Sequence, residues 1–301
     1  MAGINATLVK TLRDKTGAGV IACKNALAET QGDFDAAVNR LRAAEASKAA
    51  QKADRVAAEG LVGLLVDGTR GAIIEVNSET DFVARTAGFQ DAVTSFVKVG
   101  LEVMDGHEAL LAAPAPDGDG HVSDVIARLM ARTGEHVRLR RSALVSVSRG
   151  VVASYVHSAL APGLGRIGVL VALESSAPPD ALLGFGRKLA MHIAAASPQW
   201  IGVDDIPAAV IGDKRAALVE QARATGKPAE IVEKMVEGRM RRFFQETVLG
   251  LQSFALNPEQ RVNDALKEAE AAASASMSVK AFVRFKTGEG LDAAEADARL
   301  D

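Results

Sequence analysis

Cysteine, aromatic side chains and long apolar runs are all scarce in this sequence of 301 residues. Cys23 is the one cysteine, so no disulfide can form within the chain, as is typical of proteins from a reducing cytoplasm. No segment reaches the roughly 18–20 consecutive apolar residues of a membrane-spanning helix. The first residues also lack the basic and then apolar order of a secretory signal. We therefore expect a cytoplasmic protein that does not enter a membrane.

An excess of charge of one sign is missing too, because 35 Lys and Arg residues face 38 Asp and Glu residues. A net charge of −3 argues against direct binding of nucleic acid, which needs a dense basic surface to contact phosphates. Residues 1–55 differ, since nine basic and six acidic residues give them a net charge of +3. Such an excess is typical of a solvated surface, and it also suits docking to an acidic partner.

Motifs for catalysis and for metal binding are absent as well. The five histidines show no metal-ligand spacing, and the sequence contains neither a P-loop nor a G-x-S-x-G motif. The residues from Gly163 to Gly168 match the pattern G-x-G-x-x-G, but a strand-like run follows them where a dinucleotide site needs a helix. Gly17 to Gly19 lie between two helical stretches. Both glycine patterns are therefore interpreted as turns, and we expect a binding protein without a cofactor.

Apolar spacing and glycine breaks predict that the first part of the chain is helical. Leu8 and Leu12 share a face of a first helix, and Phe34, Val38 and Leu41 share a face of a third. We therefore expect three short helices in about the first 42 residues. An alanine-rich stretch with almost no large apolar residue follows, and it predicts a helical linker that ends near residues 59–60.

Beyond the linker the apolar pattern changes to that of strands, and the fold class it predicts is α+β. Residues 60–67 and 70–77 are β-branched runs joined by a turn at Gly68, which predicts a hairpin, and a helical pattern follows at 87–103. The same order returns between residues 150 and 197, so we predict a duplicated unit. A helical hairpin with its break at Gly226 to Pro228 and a last strand at 279–285 complete the predicted fold.

Several motifs resemble those of the elongation factor Ts family. Leu12 to Gly19, followed by Cys23 to Leu27, resembles the N-terminal signature of the family, and Thr80 to Arg85 resembles its second signature. Further matches, in the order of the family, are Met191 to Ala195, Gly226 to Pro228 and Glu233 to Arg239. The motifs together span nearly the whole chain.

The sequence departs from the pattern of that family at a few positions. Thr133 replaces what is commonly a bulkier aliphatic residue, and Ser158 stands at a usual glycine position. The loop 159–165 is also longer than in some members. Ser158 and the longer loop leave the presentation of His157 open.

The resemblance implies a fold that agrees with the pattern of apolar residues. It implies a three-helix module similar to ubiquitin-associated domains, a core of two antiparallel-sheet subdomains, an inserted antiparallel helical hairpin and a short C-terminal module. The implied boundaries are 1–55 for the three-helix module and linker, 56–140 for the first core subdomain, 141–203 and 239–280 for the two parts of the second, 204–238 for the helical hairpin, and 281–301 for the C-terminal module.

The resemblance also implies a function, which is to release GDP from elongation factor Tu without any covalent reaction. Asp81 and Phe82 would disturb the partner's Mg²⁺ and phosphate site. The residues assigned to that site are Thr80, Asp81, Phe82 and Val83. Those assigned to the partner's nucleotide domain are Lys10, Arg13, Val20, Ile21 and His157, and those assigned to its far domain are Met240, Phe243, Leu251 and Phe254. Both a homodimer and a heterotetramer with elongation factor Tu stay open.

Several of these side chains have an ordinary structural interpretation. Phe82, Phe89 and Phe96 are seven residues apart, so one continuous helix would align all three on a buried stripe. The resemblance implies instead that the helix begins near Thr86 and that Phe82 lies on an exposed loop. Val20, Ile21, His157 and the apolar residues of 239–254 would serve equally as internal packing. Two other classes of function also stay open: an adaptor that binds polypeptides or ubiquitin-like domains, and a nucleotide-dependent oxidoreductase.

Overall fold

A computed structural model describes residues 5–52, 55–103 and 106–291, and the side chains of 45–52 are not described. The chain begins with α1 (Ala6–Thr16), α2 (Val20–Glu29) and α3 (Phe34–Lys52), so the three predicted helices are confirmed. Asn5 caps α1 by accepting a hydrogen bond from the backbone N–H of Leu8 at 2.7 Å. The alanine-rich linker is helical as far as Lys52, and residues 55–58 are not helical.

The rest of the described chain alternates strands with helices. The strands are β1 (Glu59–Asp67), β2 (Arg70–Ser78), β3 (Arg138–Ser146), β4 (Gly150–His157), β5 (Leu164–Gly165), β6 (Ile167–Ser175), β7 (Ser253–Phe254), β8 (Asn257–Arg261) and β9 (Met277–Lys286). The helices are α4 (Asp81–Ala84), α5 (Ala87–Val103), α6 (His107–Ala112), α7 (Val122–Thr133), α8 (Pro179–Ala196), α9 (Ala208–Arg223), α10 (Ala229–Thr247) and α11 (Val262–Ala273). No helix in these described ranges is both long and apolar enough to cross a bilayer.

Two antiparallel sheets and the helices that cover them form the core. The first sheet has the strand order β3-β2-β1-β5 and the second has the order β4-β6-β9. Alternate side chains of β1 and β2 point to opposite faces, so Leu61 and Ile74 pack with α5 while Val62 and Ile73 pack towards the second sheet. On the far side, α8 covers β4 and β6. The order of layers is therefore helix, sheet, sheet, helix.

The two halves of this core repeat one plan, which confirms the predicted duplication. A hairpin (β1-β2 or β4-β6) is followed by a helix (α5 or α8), and a third strand (β3 or β9) then adds to the second strand of the hairpin. The third strand comes last in each half. The strand β3 and the helix α11 were not predicted from the sequence.

The helical hairpin of α9 and α10 has its own small apolar core. Leu218 and Ala222 of α9 pack with Val232 and Val236 of α10. Gly226, at φ +69°, forms the break between the two helices, as predicted.

Several implied boundaries fall inside elements of the structure. The boundary at 140/141 divides β3, and the boundary at 203/204 lies in a short 3₁₀ turn at Val203–Asp205. The boundary at 238/239 lies within α10, which continues to Thr247. The boundary at 280/281 divides β9, so residues 281–286 belong to the second sheet. Residues 292–301 of the expected C-terminal module lie outside the described part of the chain.

Candidate functional site

The most prominent exposed ring in the described chain is that of Phe82, on the single helical turn α4. Phe82 is 77% exposed, whereas Phe89 and Phe96 are fully buried. The helix that carries the buried stripe begins only at Ala87, because the chain turns at Thr86, whose hydroxyl donates to the carbonyl of Val83 at 2.7 Å. The prediction of an exposed Phe82 is therefore confirmed. The expected loop is wrong in detail, since Phe82 lies in a helical turn.

The residues next to Phe82 fix this turn to the protein. Val83 and Ala84 are buried in the same apolar cluster as Phe89. Val83 was expected to contact a partner, and its burial corrects that expectation. At the other end, the backbone N–H of Thr80 donates to Glu135 at 3.0 Å and its hydroxyl donates to the same carboxylate at 2.6 Å. The ring of Phe82 is thus exposed on a backbone that is held on both sides.

Asp81 stands beside this ring and makes only a surface contact. Its carboxylate accepts from Nε of Arg85 at 3.2 Å and lies 3.1 Å from Nη2 of the same residue. Both side chains are well exposed. An exposed pair of this kind contributes about 0–1 kcal/mol, so a competing cation or donor can replace Arg85 at little cost. The turn therefore offers an apolar ring and an available carboxylate side by side.

A second exposed surface lies on the first two helices. Val20 is 52% exposed and Ile21 is 77% exposed, because α2 turns Cys23 and Leu27 inward instead. This orientation excludes the interpretation of Val20 and Ile21 as core residues. A groove of about 380 Å³ runs between α1 and α2, and it is lined by Asn5, Ala6, Val9, Lys10, Arg13, Val20 and Lys24. Apolar surface and three cations therefore meet in one place.

His157 ends β4 with its ring exposed. The hydroxyl of Tyr155 lies 3.3 Å from Nδ1 of His157, and the two ring centroids are 6.2 Å apart. Ser158, which follows, has a φ of +52°, in the left-handed region that favours glycine. The usual glycine of the family at this position therefore has a conformational reason.

The four residues assigned to a far domain divide into two pairs. Met240 and Phe254 are 6% and 4% exposed, so they are core residues, and their assignment to a partner surface is corrected. Phe243 is half-buried against Trp200, with ring centroids 6.0 Å apart, and Leu251 is also half-buried. Only Phe243 and Leu251 keep surface for a partner.

His192, a buried histidine in α8, has a structural role. Nε2 of His192 lies 2.9 Å from the side-chain oxygen of Gln252. Nδ1 of the same ring accepts a hydrogen bond from the backbone N–H of Ala255 at 3.1 Å. Burial lowers the pKa of His192 below its usual value. The neutral ring therefore connects α8 to the segment that carries β7.

The described residues form neither a metal centre nor a dinucleotide site. No three His, Cys, Asp or Glu side chains among them converge on a point where a metal could bind. The glycine pattern from Gly163 to Gly168 contains β5 and leads into β6, so no helix N-terminus faces the loop. Gly17 ends α1 at φ +74°, which confirms that it forms a turn.

Sequence reasoning missed Glu135 as a member of this site. Glu135 follows the glycine that ends α7, and a polar residue after a helix end gives only a weak signal. Its partner Thr80 lies 55 residues away in the sequence. Only the folded chain brings the two together.

Known proteins resemble this chain over nearly its whole length. The family model described as Elongation factor TS matches residues 79–289. The elongation factor Ts of Rhizobium etli is 50% identical over 297 residues, which cover 99% of this chain and 96% of that protein. Those of Caulobacter sp. strain K31 and Parvibaculum lavamentivorans are 49% and 47% identical, over 97% and 99% of this chain and 94% and 96% of theirs. The chain belongs to the elongation factor Ts family, whose members act in the elongation stage of protein synthesis.

Proposed function

We propose that this protein releases GDP from elongation factor Tu by inserting the turn that carries Asp81 and Phe82 beside the bound Mg²⁺ and phosphates. The observation that carries the proposal is the 77% exposure of Phe82 on a backbone that is anchored at Thr80 and Val83. A ring that is held exposed on an anchored turn is already oriented for burial in a partner pocket, and such burial removes its apolar surface from water. Membership of the family supports elongation factor Tu as that partner.

Exchange requires the protein to bind the nucleotide-free partner more tightly than the loaded one. In GTPases, a loop of backbone N–H groups and Mg²⁺ hold the phosphates. By linkage, a protein that weakens nucleotide binding is itself bound more weakly in the presence of nucleotide, by the same factor. Equal affinity for both states would release nothing. The contact must therefore be stronger when the nucleotide and its metal are absent than when they are bound.

Asp81 and Phe82 supply two different contributions to such a contact. Burial of the Phe82 ring in a partner pocket contributes about 1.5–3 kcal/mol, which helps to hold neighbouring elements of the partner apart. The carboxylate of Asp81, whose contact with Arg85 is weak, competes for donors that otherwise support the metal. The protein makes and breaks no covalent bond and binds no cofactor in this scheme.

The other exposed surfaces hold the partner in place. Lys10, Arg13 and Val20 dock the nucleotide domain through the groove between α1 and α2. Ile21 adds its exposed side chain on α2 to the same contact. His157 contacts the same domain. Phe243 and Leu251 contact the far domain through their remaining exposed surface.

Release of a fluorescent GDP analogue from purified elongation factor Tu tests the proposal. We expect micromolar concentrations of this protein to accelerate release in the presence of excess unlabelled nucleotide. A release rate equal to the spontaneous one would overturn the proposed function. Release accelerated equally when Mg²⁺ has already been removed by a chelator would overturn the part that concerns the metal site.

A further inference from the structure

Two glutamates connect the segment before Phe82 to the loop that follows α7. The backbone N–H of His136 donates to Oε1 of Glu79 at 2.6 Å. In the opposite direction, the N–H and the hydroxyl of Thr80 donate to the two oxygens of Glu135 at 3.0 and 2.6 Å. Residues 79–80 and 135–136 are thus joined by three hydrogen bonds, each with a carboxylate as acceptor. Hydrogen bonds to ionised groups are about twice as strong as neutral ones.

The hydroxyl of Thr80 does not cap the helix at whose N-terminus it lies. Thr80 is the N-cap of α4, where a threonine side chain commonly accepts a hydrogen bond from the backbone of the first turn. Here its side chain makes no capping bond and donates to Glu135 instead. The interaction with Glu135 therefore replaces the local stabilisation of the helical turn by a long-range one.

A helix of one turn depends on such outside contacts. Forming a first turn fixes several dihedral angles for a single hydrogen bond, so four isolated residues do not hold a helix in water. On the side after Phe82, burial of Val83 and Ala84 supplies the contact. On the side before it, Glu135 supplies the contact through Thr80, and Ser78 adds a bond from its hydroxyl to the carbonyl of Thr80 at 2.8 Å.

We propose that Glu135 is a positioning residue for Phe82, which it holds in an outward orientation through Thr80. This inference rests on the proposed function, because it concerns the same turn. A ring that is already fixed in its binding orientation loses less conformational entropy on insertion into a partner. Loss of Glu135 leaves the ring attached to a turn with several orientations, of which only a fraction is competent for insertion.

Three variants at this position separate positioning from charge. For Glu135→Ala we expect the rate of GDP release, measured at a subsaturating concentration of this protein, to fall by about tenfold. A fall of this size corresponds to a modest loss of preorganisation. Glu135→Gln keeps one acceptor oxygen, so its rate of GDP release should lie between those of Glu135→Ala and the unchanged protein. Glu102→Gln removes an equal charge from an exposed position of α5 and should change release by less than twofold, a change that is ordinary for surface sites. Equal rates for Glu135→Ala and the Glu102 control would overturn the proposal.

A double-mutant cycle with Thr80 distinguishes positioning from direct contact. If Glu135 acts through Thr80, Glu135→Ala should cost much less in a Thr80→Val background than in the unchanged protein. Thr80→Ser keeps the hydroxyl and should retain most of the exchange activity. Fully additive effects of Thr80→Val and Glu135→Ala would show that Glu135 contacts the partner independently, and they would overturn the proposal.

A measurement on the free protein tests the inference without the partner. With 4-fluorophenylalanine placed at position 82, we expect one narrow ¹⁹F resonance in the unchanged protein and in Glu102→Gln. We expect a broadened or split resonance in Glu135→Ala, while far-ultraviolet circular dichroism and a cooperative melt are retained. An unchanged resonance in Glu135→Ala would overturn the positioning inference even if exchange is active. Failure of the unchanged protein to release GDP would overturn the proposed function alone.

Discussion

Nε of Arg141 lies 2.5 Å from Oε2 of Glu75, a carboxylate that is completely buried. Arg140 donates to the same carboxylate at 3.1 Å, and the backbone N–H of Gly288 donates at 2.8 Å. The guanidinium of Arg141 also lies over the ring of Phe285, 4.2 Å from its centroid. One acidic side chain of β2 thus holds β3 and the residues after β9 together.

Replacement of Glu75 should destabilise the fold strongly. Glu75→Ala leaves Arg140, Arg141 and the N–H of Gly288 without their common acceptor, and breaking a buried ionic contact costs about 3–5 kcal/mol. Urea unfolding of the variant measures the loss. Glu230→Ala, which removes an exposed partner of Lys234, is the matched control and should change the free energy of unfolding far less. Similar decreases in the free energy of unfolding for both variants would contradict the structural role assigned to Glu75.

Ser158→Gly should stabilise the protein slightly. A non-glycine residue in the left-handed region costs about 1–2 kcal/mol, and the greater freedom of glycine in the unfolded chain offsets about half of the gain. We expect a net increase of about 0.5 kcal/mol in the free energy of unfolding. Ser176→Gly, at a position without positive φ, should lower it instead. A loss of stability in Ser158→Gly would contradict the strained backbone at this residue.

The stability of the protein should fall as the pH drops below the usual pKa of histidine, and His192 should contribute to this fall. Burial lowers the pKa of His192 in the folded chain below its value of 6.5 in an unfolded one, so the unfolded chain binds the proton first. Its contribution is complete above pH 6.5 and is lost as the pH falls towards the folded pKa, by up to about 1.4 kcal/mol per pH unit. Urea unfolding at several pH values measures this slope. In His192→Gln the free energy of unfolding should fall less steeply with decreasing pH, by an amount that corresponds to about one bound proton. Parallel plots of this free energy against pH for the variant and the unchanged protein would contradict the prediction.

Ile21→Ala should weaken docking of the partner without changing the fold. Ile21 is exposed on α2 and packs with nothing in the core of the first three helices, so its loss should not affect the melt. The concentration that gives half-maximal GDP release should rise by about 5- to 30-fold, because burial of its side chain contributes about 1–2 kcal/mol. Val210→Ala, on an exposed face of α9, is the control and should leave that concentration unchanged. Equal behaviour of the two variants would remove Ile21 from the proposed contact.

Local patterns predicted much of the fold, and long-range contacts account for the parts they missed. The hairpin of β1 and β2 has apolar strands and a tight turn at Gly68, all within 20 residues. The strand β3 was missed because Arg138, Arg140 and Arg141 interrupt its apolar pattern. Two of those charges are compensated by Glu75, more than 60 residues earlier in the chain. A single-sequence pattern does not show such pairing.

The candidate site was harder to predict from periodicity. The seven-residue spacing of Phe82 and Phe89 favours a common buried face, and the turn at Thr86 breaks the helix between them. Resemblance to the family, rather than spacing, predicted the exposure of Phe82. The burial of Met240 and Phe254 was not visible in the sequence, because an apolar residue on a helix or short strand can face either a core or a partner.

The most direct test of the account compares Phe82→Ala with Leu256→Ala, both of which shorten an exposed apolar side chain. In stopped-flow release of fluorescent GDP from elongation factor Tu, Phe82→Ala should slow exchange by about tenfold or more, since the ring contributes about 1.5–3 kcal/mol to the contact. Leu256→Ala should match the unchanged protein, and both variants should melt at nearly its temperature. Exchange by Phe82→Ala at the unchanged rate would contradict the central claim that this exposed ring drives the release of GDP.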